Sequence, residues 1–209
     1  MKLLRLWRLP IAGIGLASFL LLGCTQERDF TNQVGANNDQ TQPASETQTN
    51  TRSPDVIYVP TPNKVVDAML QLADTNSNDV VYDLGSGDGR IPITAAQKYN
   101  ARGVGIEIDP QRVSEANENA QNSGVSDRVE FRQQDLFESD FSDATVVTLY
   151  LLSDLNEKLR PRLLEELAPG TRIVSHAFGM GDWEPEQTQQ VDGSTIYLWI
   201  VPENPASIQ

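Results

Sequence analysis

The chain has 209 residues, 39% hydrophobic and 22% charged, a balance that suits one globular domain with appendages and excludes a collagen-like, coiled-coil or multi-span membrane protein. With 29 acidic residues against 16 basic ones the net charge is −13, so phosphate backbones are repelled and nucleic acid is not the expected partner. One cysteine, Cys24, and one histidine, His176, leave no internal disulfide, no Cys-based zinc site and no multi-histidine metal centre.

Residues 1–8 carry Lys2, Arg5 and Arg8 and no acid, and residues 9–23 form an uncharged, mostly apolar run. That run has the length of a signal-peptide core and is short for a membrane span, which needs roughly 20 apolar residues. It ends in Leu21-Leu22-Gly23-Cys24, which resembles the lipobox of bacterial lipoproteins. The resemblance implies a signal peptide over residues 1–23, cleavage before Cys24, and a membrane partner reached through lipidated Cys24. The competing reading is an uncleaved anchor. Either puts a membrane at the N-terminus, with the basic residues kept cytoplasmic and the downstream chain exported; a domain on the cytoplasmic face is the other arrangement. Residues 24–55 are dominated by Thr, Gln and Asn and carry almost nothing apolar, so they read as a disordered polar tether.

Residues 56–202 read as the folded domain and residues 203–209 as a tail. A helical pattern opens at Pro62, with Val65, Val66, Met69, Leu70 and Leu72 near one face. Residues 79–84 (DVVYDL) form a short apolar run, read as a buried strand that ends at a glycine cluster. Helix 91–99, strand 103–108 (GVGIEI), helix 110–122 with proline at its permitted first position, and strand 128–132 follow. Residues 144–151 (ATVVTLYL) are β-branched and apolar, residues 155–167 are helical up to Pro169-Gly170, and 172–176 form a strand. Residues 187–191 and 195–201 flank Asp192-Gly193, a hairpin signal. Alternating strands and helices predict an α/β fold: a Rossmann-like, doubly wound, mostly parallel seven-stranded sheet closed by a C-terminal β-hairpin.

The stretch DLGSGDGR, residues 83–90, lies between the first strand and its helix. Gly85, Gly87 and Gly89 permit positive φ and a close ligand approach, with Ser86 and Asp88 between them. The spacing G-x-G-x-G is neither the dinucleotide fingerprint nor a P-loop. Asp83 and Asp88 are unfavourable beside a pyrophosphate but suit a ligand bearing an ammonium and a sulfonium, whose own carboxylate can use N–H groups at the helix start.

VYDLGSGDGR resembles the first motif of the seven-strand (class I) S-adenosylmethionine (SAM)-dependent methyltransferases, and the resemblance spans the whole folded domain. It implies SAM as the cofactor. It also implies that Glu107, in GIEIDP, holds the ribose hydroxyls and that Asp135, in RQQDLF, lies near the adenine amino group. A narrower resemblance, carried by residues 58–62 (YVPTP), the glycine loop and TLYLLSDLNEKLRPRL, is to bacterial relatives of the mitochondrial protein-lysine methyltransferases of the ATP-synthase c subunit and the adenine nucleotide translocase. It implies methylation of a lysine amine on a protein substrate. Such transfer is an in-line displacement that asks for alignment, an unprotonated amine and exclusion of water rather than a protein nucleophile.

Acceptor-side candidates lie where strands end. Tyr150 closes the fourth strand and is either a rim aromatic or part of the acceptor site. His176 ends the fifth and is either structural or a proton acceptor. Trp183 either walls an amine channel or covers the sheet edge, and Tyr58 either closes over the cofactor or anchors the tether. Nucleobase amino-methyltransferases carry an N/D-P-P-Y/F tetrad after the fourth strand, from which Leu149-Tyr150-Leu151-Leu152 departs. Aminopropyl transfer, on the same fold, needs acids that TLYLL does not offer. A membrane-tethered binding module without catalysis is the alternative, motivated by the conflict between export and the cytoplasmic origin of SAM.

Overall fold

The computed structural model describes residues 57–208; the signal-like run, Cys24 and the tether lie outside the described residues. Strands β1 (Val80–Leu84), β2 (Arg102–Glu107), β3 (Val129–Gln133), β4 (Val146–Leu149), β5 (Arg172–His176), β6 (Gln187–Val191) and β7 (Ser194–Ile200) form one sheet in the order β3-β2-β1-β4-β5-β7-β6. All pairings are parallel except those of β7, which runs antiparallel to β5 and β6. Asp192 and Gly193 both take positive φ, 52° and 84°, the twist-matched geometry of a two-residue hairpin.

Helices α1 (Asn63–Leu72), α2 (Arg90–Tyr99), α3 (Pro110–Asn122) and α4 (Ser153–Glu166) cover the sheet. Period-2 alternation divides the strands between two cores. Val81, Val146, Val174 and Leu198 face the apolar sides of α1 and α2, whereas Tyr82, Leu84, Val147, Ile173 and Trp199 pack with Leu159, Leu163 and Leu164 of α4. The helix boundaries have local causes. Asp109 caps α3 by accepting from the Gln111 N–H at 2.8 Å, with Pro110 at the first helical position. Asn100, at φ 60°, ends α2 in the left-handed region.

Strand four is shorter than its β-branched run. Val146–Leu149 pairs with β1 on one side and β5 on the other, but β1 gives way to the glycine loop after Leu84, and Tyr150 and Leu151 continue unpaired into a cleft. The C-terminal residues close with a 3-10 helix, Pro205–Ile208, whose Ile208 packs on the α4-side core, so part of the expected tail is folded. The outermost strand β6 is exposed at Gln187, Thr188, Gln189 and Gln190, and it forms one edge of the sheet. Among the described residues no helix is long and apolar enough to cross a membrane.

Candidate active site

The order of strands reverses between β1 and β4, and a cleft of about 160 Å³ opens outside their carboxyl ends, where open α/β sheets bind ligands. The glycine loop forms its floor. Gly85, Gly87 and Gly89 have φ of 88°, 52° and 78°. A Cβ on Gly87 would collide with the Tyr58 ring, and one on Gly89 with the Phe131 ring, so close packing as well as backbone angle demands glycine at these two positions. The Gly85 and Ser86 N–H groups donate to the Ile106 carbonyl at 2.8 and 3.0 Å, and Gly89 N–H donates to the Ser86 carbonyl at 2.9 Å. These loop donors, expected to be open to a ligand carboxylate, are therefore engaged with the protein, as is the Arg90 N–H with Asp88.

The four acids named from the sequence converge on this cleft, in different electrostatic states. Asp83, 3% exposed, accepts from the Thr148 hydroxyl at 2.7 Å. Burial, against the pull of Thr148 and with the help of the Asp88 and Glu107 charges, pushes its carboxyl up to about 7. Asp88 departs from expectation. Burial works to raise it, but the Arg90 guanidinium bonded to it holds it below the usual carboxylate range, so its charge is already countered and Asp83 is the acid left to answer a cation. Glu107 is also occupied: Oε2 accepts from the Gly87 N–H at 2.9 Å, and Oε1 from the N–H groups of Ile108 and Asp109 at 2.8 and 2.9 Å. Of its roughly four lone-pair sites one, on Oε2, stays open to a hydroxyl donor, so one carboxylate both ties down the loop and presents an acceptor at the end of β2. Asp135 accepts from the Phe137 N–H at 2.9 Å and shapes the turn after β3.

Residues 57–61 run across the cleft as a strap. Tyr58 lies on Gly87 and under the Arg112 guanidinium, 4.9 Å from its ring centroid; burial, then the Asp88 charge, raises its phenol above the ordinary value. The Thr61 carbonyl accepts from Arg90 Nη1 at 2.8 Å.

On the acceptor side Tyr150 lines the cleft and stacks on His176, with ring centroids 3.9 Å apart, and on Phe178 at 6.1 Å. His176 is buried behind Tyr150, its Nδ1 sharing a 3.3 Å hydrogen bond with the Thr61 hydroxyl, and burial lowers its pKa. The neutral imidazole is thus favoured near pH 7. Of its two expected places, a channel wall or a cover over the sheet edge, Trp183 does not take the first. It lies in the α4-side core against Trp199, which donates its indole N–H to the Trp183 carbonyl at 2.7 Å, because a large apolar ring at the sheet edge gains more from burial than from a wet rim.

Several participants were missed. Thr148 had a signal, a lone polar residue in an apolar strand. Arg90 closes the DLGSGDGR stretch, but nothing in that pattern ties it to Asp88. Thr61 lies in the YVPTP run, whose pattern gives no hint of its partner, and Arg112 and Phe178 had no signal, since these roles arise from contacts distant in sequence. Asn156 is fully buried on α4 and holds the loop after β5, its amide donating to the Phe178 and Gly179 carbonyls at 3.4 and 3.1 Å.

The residues present fit SAM. The Ser86 hydroxyl is buried in the loop with no partner, the glycine floor admits no side chain beneath Tyr58, and a protonatable acid at β1 faces the cleft where an ammonium would be welcome.

The ANTKMT methyltransferase domain family matches residues 83–187. The chain is 48% identical over 156 residues to a protein-lysine N-methyltransferase of Saccharolobus islandicus strain REY15A, a match covering 72% of this chain and 97% of that protein. It is 33% identical over 130 residues to the adenine nucleotide translocase lysine N-methyltransferase of Mus musculus, 62% of this chain and 56% of the mouse protein, so it spans a little over half of that relative's length. A solved structure described as an RNA methyltransferase from Salinibacter ruber, in complex with S-adenosyl-L-homocysteine, is 62% identical and superposes with a TM-score of 0.69, covering 70% of this chain and 95% of that one.

Proposed function

The chain belongs to the ANTKMT methyltransferase family and is a SAM-dependent methyltransferase; we propose that its acceptor is the ε-amine of a lysine in a protein. The observation that carries the acceptor class is the wall opposite the acids. Tyr150, backed by a neutral His176 and by Phe178, offers aromatic surface where a polyamine or phosphate-bearing substrate calls for charge. The names of the relatives from Saccharolobus and mouse agree with it.

In this reading Asp83, Glu107 and Asp135, which all line the cleft, hold the cofactor along three strand ends, with the strap above. When bound, SAM supplies a sulfonium-activated methyl group. A cation beside Asp83 favours its carboxylate form, so this buried acid releases a proton as the site fills. Tyr150 supplies a dry face that favours the unprotonated amine; after transfer the methylated nitrogen would carry the positive charge lost from sulfur, and its proton would pass to solvent as the product leaves. No protein nucleophile is needed; orientation and exclusion of water are what these residues contribute.

The description of the Salinibacter protein favours a second reading, RNA as acceptor. Against it stand the net charge of −13 and the absence of the N/D-P-P-Y/F tetrad at residues 149–152. Incubation with methyl-tritiated SAM and a cell extract decides. Label expected on protein, located on lysine by mass spectrometry, supports the proposal; label removed by ribonuclease overturns it. No label at all, alongside tight cofactor binding, would revive the non-catalytic module.

For location, we propose a lipid anchor at Cys24 with the domain outside the membrane, on the strength of Lys2, Arg5, Arg8, the apolar run and the lipobox-like ending. Cys24→Ser should accumulate an unprocessed precursor, and protease should digest the domain on intact spheroplasts. Protection until detergent is added would place it on the cytoplasmic face.

A further inference from the structure

Thr61 joins two parts of the site that share no element. It lines the cleft and is itself buried. Its carbonyl is held by Arg90, whose guanidinium also grips Asp88 of the glycine loop. Its hydroxyl shares the 3.3 Å hydrogen bond with Nδ1 of His176, 115 residues away. The imidazole in turn stacks on Tyr150, which faces the cleft, and His176 does not. After His176 the backbone turns at once: Ala177 sits at φ 66°, and the Ser175 hydroxyl donates to the Phe178 carbonyl at 2.7 Å, which fixes where β5 releases the ring. A proton acceptor must come within hydrogen-bond reach of the reacting amine. A buried ring behind Tyr150 does not.

We propose that Thr61 and His176 form a joint that couples the strap over the cofactor to the aromatic wall of the acceptor site, with His176 a positioning residue rather than the proton acceptor. The proposal rests on the methyltransferase reading for its consequence. Seating the strap fixes the imidazole, and the imidazole fixes the Tyr150 face, so the acceptor wall is complete only when the cofactor side is closed. Because linkage is reciprocal, loosening the joint weakens cofactor binding as well as displacing the wall.

The test uses the full chain and the demethylated cofactor, S-adenosylhomocysteine. Calorimetry should show Thr61→Val and His176→Phe each binding it about three- to tenfold more weakly, the loss expected of one hydrogen bond. The double variant should be little worse than either single one. Hydrogen exchange at Tyr58, Val59 and Thr61 should accelerate in both single variants. KM for SAM should rise more than kcat falls, and His176→Asn, which keeps a polar atom near the place of Nδ1, should recover most of the affinity. If His176→Phe instead lowers turnover by about two orders of magnitude, the size of a lost general base, with affinity unchanged, His176 is the base and the joint is overturned. Additive losses in the double variant would overturn it too. If His176→Phe does not fold, Thr61→Val against Thr61→Ser carries the test, and equal affinity sinks the proposal. Absence of binding by the wild type, with strap exchange still faster in the variants, would instead strike the cofactor reading and leave the joint standing.

Discussion

The two halves of the cleft are built from different materials. On the cofactor side, β1 and β2 end in carboxylates that satisfy backbone N–H groups and hydroxyls over short distances: Glu107 ties Gly87, Ile108 and Asp109, and Asp83 takes Thr148. On the acceptor side, β4 and β5 end in rings held by stacking, by one long-range hydrogen bond and by a loop pinned through Asn156. A site made of charge and backbone is rigid and intolerant of substitution. One made of stacked rings tolerates change in its polar atoms and fails when a ring is lost.

Glu107 should break that contrast most severely. Glu107→Ala leaves three backbone donors without their acceptor and removes the oxygens proposed to meet the ribose, so cofactor affinity should drop by about 100-fold or more by calorimetry, each charged hydrogen bond being worth about 1.5–3 kcal/mol. Glu107→Gln should be nearly as damaging, because in either amide orientation its NH2 faces an N–H donor. Recovery of wild-type affinity by Gln would mean the loop ties matter little.

Asp83 sharpens the contrast through pH. Its carboxyl titrates near 7 when folded and near 3.9 when unfolded. Between those values the folded state holds the extra proton, so this group's contribution to stability falls as pH rises from about 4 to 7. Asp83→Asn, which still accepts from Thr148, should therefore melt higher than wild type at pH 8, by up to roughly 4 kcal/mol from that displacement, while losing SAM binding. Wild-type affinity for SAM should strengthen with rising pH through about 7 and level off above it. A flat profile would show that Asp83 does not meet the cation.

The acceptor side should respond through shape. Trp183→Ala should destabilise the fold by about 3–5 kcal/mol in chemical denaturation, as loss of a buried indole does, with kcat per folded molecule little changed; a selective collapse of kcat would return Trp183 to the amine channel. Tyr150→Phe, which keeps the stack on His176, should alter kcat about threefold or less, whereas Tyr150→Ala should cost far more.

The same contrast explains what was readable beforehand. Strand ends announce themselves by a change from apolar run to glycine or acid, so the position of Asp83 and the hairpin at Asp192-Gly193 followed from local pattern, whereas Glu107 and Asp135 stood out from other strand-end acids only through the family resemblance. Strand and helix limits moved by no more than two residues at either end, with β4 shortened by two at both. The state of each acid was not readable: Arg90 neutralises Asp88 through a side-chain fork that no spacing rule specifies. On the acceptor side Tyr150 and His176 were candidates for the right reason, but their division of labour depends on which ring faces the cleft. Trp183 shows the limit of reading an aromatic near a strand end, since core and channel have the same composition.

The outer edge of β6 carries a different consequence. Its opposite number, β3, presents the ion-paired Glu130 and Arg132 at the far edge of the sheet. Residues 187–191, QTQQV, present amides and a hydroxyl, with no charge and no proline to discourage another backbone from docking. Glutamine-rich edges of this kind favour strand-to-strand addition. In concentrated solution the protein's colloidal behaviour should thus be set at this margin, far from the cleft, and Thr188→Lys should lower light scattering on storage without touching catalysis.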